Sequence, residues 1–404
     1  MLTDLKDRKW PERAPGLRMS LLHQGYVTEG QMVALGLGFP GMCMPIPADE
    51  AYVTALGIDR RKVVYGGTGG RSAHLFAAMT FGLTGVVIDM GVLQEDARTT
   101  SVMVAKDGRV FATTAPGAPL PVPDPPGYPP AGEGALYVHD AEHEPADLIH
   151  EWHVVKTPAE KLCVPLEDEG VACAVLTHDM TGEDLIVGIG ERTGTLFTYS
   201  IEEKKTELQG KVDDHGLFSK ALVVGRDGTV YGTGALGAIW RFGLLTRGLE
   251  KMDLRIPSVA SREVRNQADS FALDRCSGLI YGGGTADGVL FVFNPSAGTV
   301  RSLGKPNCYR GVRGLAVTND GRLFGMSGRR GDIAHLFCYE PQTHELKDLG
   351  LVASVLEARR FGYEFSSSAV SRDGHIYFGE QDRGGHVWLY CPAVKAPIDD
   401  KGCD

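Results

Sequence analysis

The stretch LAVTNDGRLFGMSG at 315–328 decides the fold. Apolar residues alternate through its first half, Asp320-Gly321 interrupts them, and LFGM resumes the apolar run. Alternation with period two is a half-buried strand. An Asp-Gly pair supplies the positive φ of a tight turn. The phrase is therefore a β-hairpin. It recurs as LVVGRDGTVYGTG at 222–234, FALDRCSGLIYGGG at 271–284, SAVSRDGHIYFGE at 368–380 and VMVAKDGRVFATT at 102–114. A degenerate copy is AVLTHDMTGEDLIVGIG at 174–190, and KVVYGGTGG at 62–70 completes the set.

A third strand follows each hairpin after a short loop: AHLFAAM (73–79), GTLFTYS (194–200), GAIWRFG (237–243), GVLFVFN (288–294), AHLFCYE (334–340) and GHVWLYC (385–391). A polar turn and a fourth strand close each unit, as in NPSAGTVRSLG (294–304) and EPQTHELKDLG (340–350). Four strands recurring every ~40–50 residues mark a β-propeller, whose ring closure leaves no exposed end sheet. Seven units can be counted, at about 46–93, 98–155, 170–212, 215–256, 266–304, 309–352 and 362–391. The expected fold is an all-β, seven-bladed propeller of four-stranded antiparallel blades. The last unit holds only three strands, so LRMSLLHQ (17–24) or QMVALGLGF (31–39) should supply the fourth and latch the ring. The expected division is an N-terminal extension at 1–45, the propeller at 46–391 and a tail at 392–404. The Pro-rich stretch at 115–134 reads as a surface loop.

The repeat also separates two faces. The Asp-Gly turns lie at one end of the strands. The loops between second and third strands lie at the other, with the links between blades. This second face carries Arg71, Arg192, Arg329, Arg330 and Arg383 in its loops, and Arg98, Arg265, Arg310, Arg313, Arg359 and Arg360 in its links. The chain as a whole carries a net charge of −10, which argues against a nucleic-acid partner. An arginine-lined mouth on an acidic protein suits a carboxylate, sulfate or phosphate. Acids share the face, namely Glu50, Glu191, Asp269, Asp287, Asp332, Glu364, Glu380 and Asp382, so pairing between blades is the competing explanation.

His74, His335 and His386 open the third strand in three units, as SAHLF, IAHLF and GGHVW. A residue repeated at one blade position is first a fold element, unless its neighbours differ from blade to blade. Residues that do not repeat stand where the innermost strands open on the channel: His215, Gln267, Asp269, Tyr309, Arg310, Tyr363 and Glu364. His215, Tyr309 and Tyr363 form a candidate proton-transfer set. Arg71, Arg265, Arg310, Arg313, Arg330, Arg360, Gln267, His335 and His386 are candidate substrate contacts. A metal-dependent hydrolase would instead need carboxylates such as Glu50, Asp269 and Glu364 to converge on the axis, where Arg310 and Arg313 would repel a cation. The histidines at 139, 143, 150 and 153 lack the HExxH pattern, and GGTGGR at 66–71 lacks a Walker lysine. No cofactor is expected, with a divalent metal left open.

The phrases YGGTGGRSAHLF, GRLFGMSGRRGDIAHLF and GHIYFGEQDRGGHVWLY resemble the single-domain seven-bladed propellers among polysaccharide lyases, including ulvan lyases and related rhamnose–glucuronate enzymes. The resemblance runs from about residue 50 onward. It implies a lyase that uses His, Tyr and Arg around a uronic acid and cleaves it by β-elimination. The alternatives are a glycoside hydrolase on the same face and a non-catalytic propeller that binds a protein or glycan. An acidic carbohydrate is the expected partner.

No run of 18 apolar residues suggests a membrane span. The opening MLTDLKDRKWPERAPG has no apolar leader core, which fits a cytoplasmic location, or a secreted or periplasmic one if a leader is removed. The eight scattered cysteines form no CxxC pair and read as buried thiols.

Overall fold

The computed structural model describes residues 27, 29–37, 46–81, 84–117, 131–140, 159–178, 182–213, 216–244, 246–261, 263, 266–328, 332–354, 360–382 and 385–393. At 81, 84 and 360 it describes the backbone alone.

Strands appear in chain order as fours. After β1 (Gln31–Gly36) come β2–β5 (Tyr52–Ile58, Val64–Gly69, Ser72–Phe81, Thr84–Glu95) and β6–β9 (Ala97–Val104, Arg109–Pro116, Leu136–Asp140, Glu160–Cys163). Next are β10–β13 (Val171–His178, Asp184–Gly190, Thr195–Ser200, Lys205–Lys211) and β14–β17 (Val223–Val224, Val230–Thr233, Ala238–Gly243, Gly248–Arg255). Then follow β18–β21 (Ala268–Leu273, Ile280–Gly284, Leu290–Asn294, Thr299–Gly304) and β22–β25 (Val312–Val317, Leu323–Ser327, His335–Glu340, Glu345–Leu351). A small hairpin, β26–β27 (Ala353–Ser354, Arg360–Phe361), precedes β28–β30 (Phe365–Val370, Ile376–Glu380, His386–Cys391). The molecule is an all-β propeller with four-stranded antiparallel blades.

Each blade after β9 is a separate four-stranded meander, in the order 10-11-12-13, 14-15-16-17, 18-19-20-21 and 22-23-24-25. Strands β2 to β9 are joined as one eight-stranded sheet, but β3 and β6 meet only at Gly69 and Arg98. The last sheet runs β28-β29-β30-β1. The first strand among the described residues thus completes the last sheet, in register from Gln31 against Cys391 to Gly36 against His386. The 31–39 segment is the one that latches the ring. The alternative at 17–24 lies outside the described residues.

The expected Asp-Gly and Ser-Gly turns are present. Gly228, Gly278, Gly321 and Gly374 all take positive φ, and each closes its turn through its own N–H. Packing explains the glycines of the second strands. Gly66, Gly232 and Gly282 each face an aromatic ring of the third strand: Phe76, Trp240 and Phe291. A Cβ on Gly282 would lie 2.2 Å from the Phe291 ring.

The apolar core is divided among the gaps between neighbouring blades. Seven clusters are found among the described residues, each drawing on two adjacent groups of strands. One of them packs Tyr65 and Leu75 against Val110 and Tyr137, across the two halves of the eight-stranded sheet. Another packs Val33 and Leu389 against Val53 and Phe76, where the ring closes.

Cys163, Cys173, Cys308, Cys338 and Cys391 are free. Of these only Cys173 and Cys338 are buried, Cys163 and Cys391 are half-buried and Cys308 is exposed, while Cys276, on a turn, is in a disulfide, so the reading of buried thiols is corrected at those positions. No helix among the described residues is long and apolar enough to cross a membrane.

Candidate functional site

Hydrogen bonds confirm that interstrand loops and blade links share one face. Arg71 in a loop meets Glu50 in a link at 2.7 Å. Glu169 in a link accepts the backbone N–H groups of Arg192 and Thr193 in a loop. Asp287 in a loop accepts Ser258 Oγ at 2.9 Å and Val259 N–H at 2.7 Å from a link.

The arginines of this face mostly belong to such ties. Arg71 pairs with Glu50. Arg98 pairs with Glu191, which also takes Lys220 at 2.5 Å. Arg313 reaches Asp269 at 3.2 Å, Glu364 at 3.3 Å and Gln381 Oε1 at 3.4 Å, spanning three successive innermost strands. The charge of Asp269, and then that of Glu364, holds the Arg313 guanidinium above its ordinary value. Arg71 and Arg313, expected on a substrate, are committed to carboxylates instead. Arg310 is different. It is exposed, and no ion pair holds it among the described residues. Arg265, Arg330 and His215 lie outside the described residues, and of Arg360 only the strand backbone is described. Gln267 sits at the head of β18 with its side-chain amide nitrogen buried and without a hydrogen-bond partner among the described residues. Glu50, Asp269 and Glu364 do not converge on a shared point. Glu50 is spent on Arg71, His74 and Ser72, and the other two share Arg313. That arrangement gives no support to a metal held by these three.

The three repeated histidines separate by their surroundings. His74 is 4% exposed. Its Nε2 lies 2.7 Å from Glu50 and its Nδ1 3.0 Å from Asp89. Burial alone would push its pKa down, but Asp89 and Glu50 outweigh burial and hold it above its ordinary value. An imidazole that donates from both nitrogens is a charged pin and cannot accept a proton. His386 is also buried, with Nδ1 2.6 Å from Glu380, which takes Trp388 Nε1–H at 2.9 Å as well. It was expected to contact substrate, and the structure places it inside the blade.

His335 keeps one side of its ring open, with 19% of its side chain exposed. Nδ1 faces both oxygens of Asp348, at 2.8 and 3.0 Å. No partner holds Nε2 among the described residues. The Tyr309 ring packs against the imidazole, with centroids 5.1 Å apart. Asn307 ties the group together. Its amide donates to Ser327 Oγ at 2.6 Å and to Asp348 at 3.3 Å, and its carbonyl oxygen accepts Tyr309 N–H at 3.1 Å. Burial would raise the Asp348 pKa, but His335, the Gly350 N–H and Asn307 hold it below the usual range. The Tyr309 phenol is pushed up, first by burial and then by Cys308, Asp332 and Asp348.

Tyr363 belongs to the same sector. The Gly362 carbonyl before it accepts Ala334 N–H at 2.9 Å, beside His335. Glu364 after it pairs with Arg313. Tyr309, Arg310 and His335, from one unit, and Tyr363, from the next, are therefore gathered at one rim. Asp348 and Asn307 were not picked. The signal for Asp348 was available: DMG at 89–91 and DLG at 348–350 occur on the fourth strands of the two blades whose third strands begin AHLF. In both, the fourth strand bulges so that Asp89 and Asp348 face the residue two after the histidine, and each carboxylate takes the N–H of the glycine two further on at 2.9 Å.

No protein-family model matches the chain, and no curated protein matches it. Among solved structures it is similar to the WD40 repeats of RRP9, with a TM-score of 0.58 and 9% identity, covering 91% of this chain and all of that one. It is similar to the WD40 propeller domain of Doa1, with a TM-score of 0.54 and 10% identity over 90% of this chain and 97% of that one. It also resembles the extracellular domain of the putative one component system BT4673 from B. thetaiotaomicron, with a TM-score of 0.54 and 13% identity over 89% of this chain. The match spans 39% of that longer protein. At these identities the likeness shows the propeller fold alone.

Proposed function

We propose that the chain binds an acidic sugar at the rim built from Asn307, Tyr309, Arg310, His335 and Asp348, and that His335 and Tyr309 cleave it by β-elimination. The observation that carries this reading is His335 itself. Asp348 grips Nδ1, Tyr309 packs on the ring, and Nε2 is left to a ligand. A carboxylate on one ring nitrogen fixes the tautomer that makes the other nitrogen a base. Arg310 would hold the uronate carboxylate and acidify the proton at C5. His335 Nε2 takes that proton, the C5–H electron pair becomes the C4–C5 double bond, and the C4–O bond breaks. Tyr309 gives its proton to the departing oxygen. The phenol is protonated at neutral pH and so has a proton to give, although burial, which raises its pKa, makes it a weaker acid. In this reading His335 is the base; His215, the other candidate, lies outside the described residues, and Tyr363 is left for binding.

The scaffold is read as seven-bladed, with β2–β5 and β6–β9 as separate blades. The single Gly69–Arg98 pair and the seven core clusters support that count. The likeness of the repeat phrases to propeller polysaccharide lyases supports the substrate class. A non-catalytic glycan- or protein-binding propeller is the second reading. It is favoured by the neutralisation of Arg71, Arg98 and Arg313 by neighbouring carboxylates. The test is incubation with a panel of uronic-acid oligosaccharides. A lyase raises ultraviolet absorbance from the new conjugated double bond. New reducing ends without that rise indicate a hydrolase. Bound glycan with neither signal indicates a binder.

A further inference from the structure

Tyr363 is 41% exposed, yet its backbone is held on both sides. Gly362 is bonded to Ala334, next to His335, and to Val352, while Glu364 is paired with Arg313 and its carbonyl accepts Gln381 N–H at 2.7 Å. No hydrogen bond or ring contact engages the Tyr363 side chain among the described residues. An aromatic side chain on an ordered backbone loses little entropy when something covers it.

We propose that Tyr363 is a stacking platform for a second sugar ring, beside the ring held at His335, so that the site reads at least two linked units. This rests on the acidic-sugar reading above and adds chain length to it. The flat face of a pyranose carries axial C–H groups that lie against an aromatic ring, and stacking needs no charge. Platform and base come from successive blades. The Tyr309 link enters the blade of His335, and the Tyr363 link leaves it. A glycan held by both would therefore cross the blade boundary along the rim.

The experiment measures binding of a rhamnose–glucuronate tetrasaccharide and of free glucuronate by titration calorimetry. Both are tested on the full chain carrying His335→Ala, so that turnover does not intrude, and on the same chain with Tyr363→Ala or Tyr363→Trp added. The expected result is a loss of about tenfold in tetrasaccharide affinity with Tyr363→Ala, with affinity retained by Tyr363→Trp and free glucuronate unaffected. Equal weakening of both ligands, or unchanged tetrasaccharide affinity, overturns the platform and leaves the acidic-sugar reading standing. Failure of both the wild-type chain and the His335→Ala chain to bind either ligand overturns that reading, and the platform with it.

Discussion

His74 and His335 occupy the same place in two blades, start the same AHLF phrase and face the same kind of bulged Asp-x-Gly strand. One is locked and the other is open. The difference comes from the link that enters each blade. Ahead of His74 the link brings Glu50, whose carboxylate closes on the second ring nitrogen. Ahead of His335 it brings Tyr309, whose ring covers a face of the imidazole and leaves Nε2 without a partner among the described residues. The blade position alone does not decide how the histidine is held. The neighbour delivered by the adjoining loop does.

The comparison can be broken in several ways. The largest effect is expected on activity. His335→Ala should cut turnover of a proven substrate by about a hundredfold or more, with melting temperature little changed. Asp348→Asn should fall in the same direction, because the wrong tautomer is then favoured. Equal turnover in either variant would remove His335 from the chemistry. His74→Ala should do the reverse. It leaves Glu50 with Arg71 and Ser72 alone and Asp89 without its imidazole, and should cost about 1–3 kcal/mol of stability, read by denaturant titration. Arg313→Ala should also act on stability, because Asp269 and Glu364 lose their shared cation. Arg310→Ala should leave stability intact and raise KM by roughly tenfold, consistent with a charge-assisted contact. Gly282→Ala should cost about 1–3 kcal/mol through the clash with Phe291.

The smallest effect is a pH dependence that sharpens the contrast. The folded-state pKa of His74 lies above its ordinary 6.5, so its contribution is full below 6.5 and fades as pH rises through the raised value. That of Glu50 lies below its ordinary 4.5, so its contribution is full above 4.5 and fades as pH falls through the lowered value. The stability gap between wild type and His74→Gln should therefore be widest between those two pH values and narrow on either side. A gap independent of pH would contradict the charged pin.

The sequence carried the fold because each blade repeats a period-two hairpin with a glycine turn, and repetition makes weak local signals add. It also placed Tyr309, Arg310, His335 and Tyr363 on the face shared by interstrand loops and blade links. It did not separate pins from ligand contacts. The ties of Arg71, Arg98 and Arg313 run between residues 21 to 93 positions apart, and no local pattern records them. Asp348 was legible as a repeated Asp-x-Gly, but its meaning depends on a bulge that turns the carboxylate toward the histidine of the preceding strand. Asn307 carries no pattern at all. It matters because it touches Asp348 and Tyr309 together.

The most direct test follows ultraviolet absorbance of a rhamnose–glucuronate oligosaccharide incubated with wild type, His335→Ala and His386→Gln, with folding checked by melting temperature. A steady rise with wild type, its loss in folded His335→Ala and its persistence in folded His386→Gln is the predicted result. No rise with wild type across uronic-acid substrates, or an undiminished rise with His335→Ala, would contradict the assignment of chemistry to this rim.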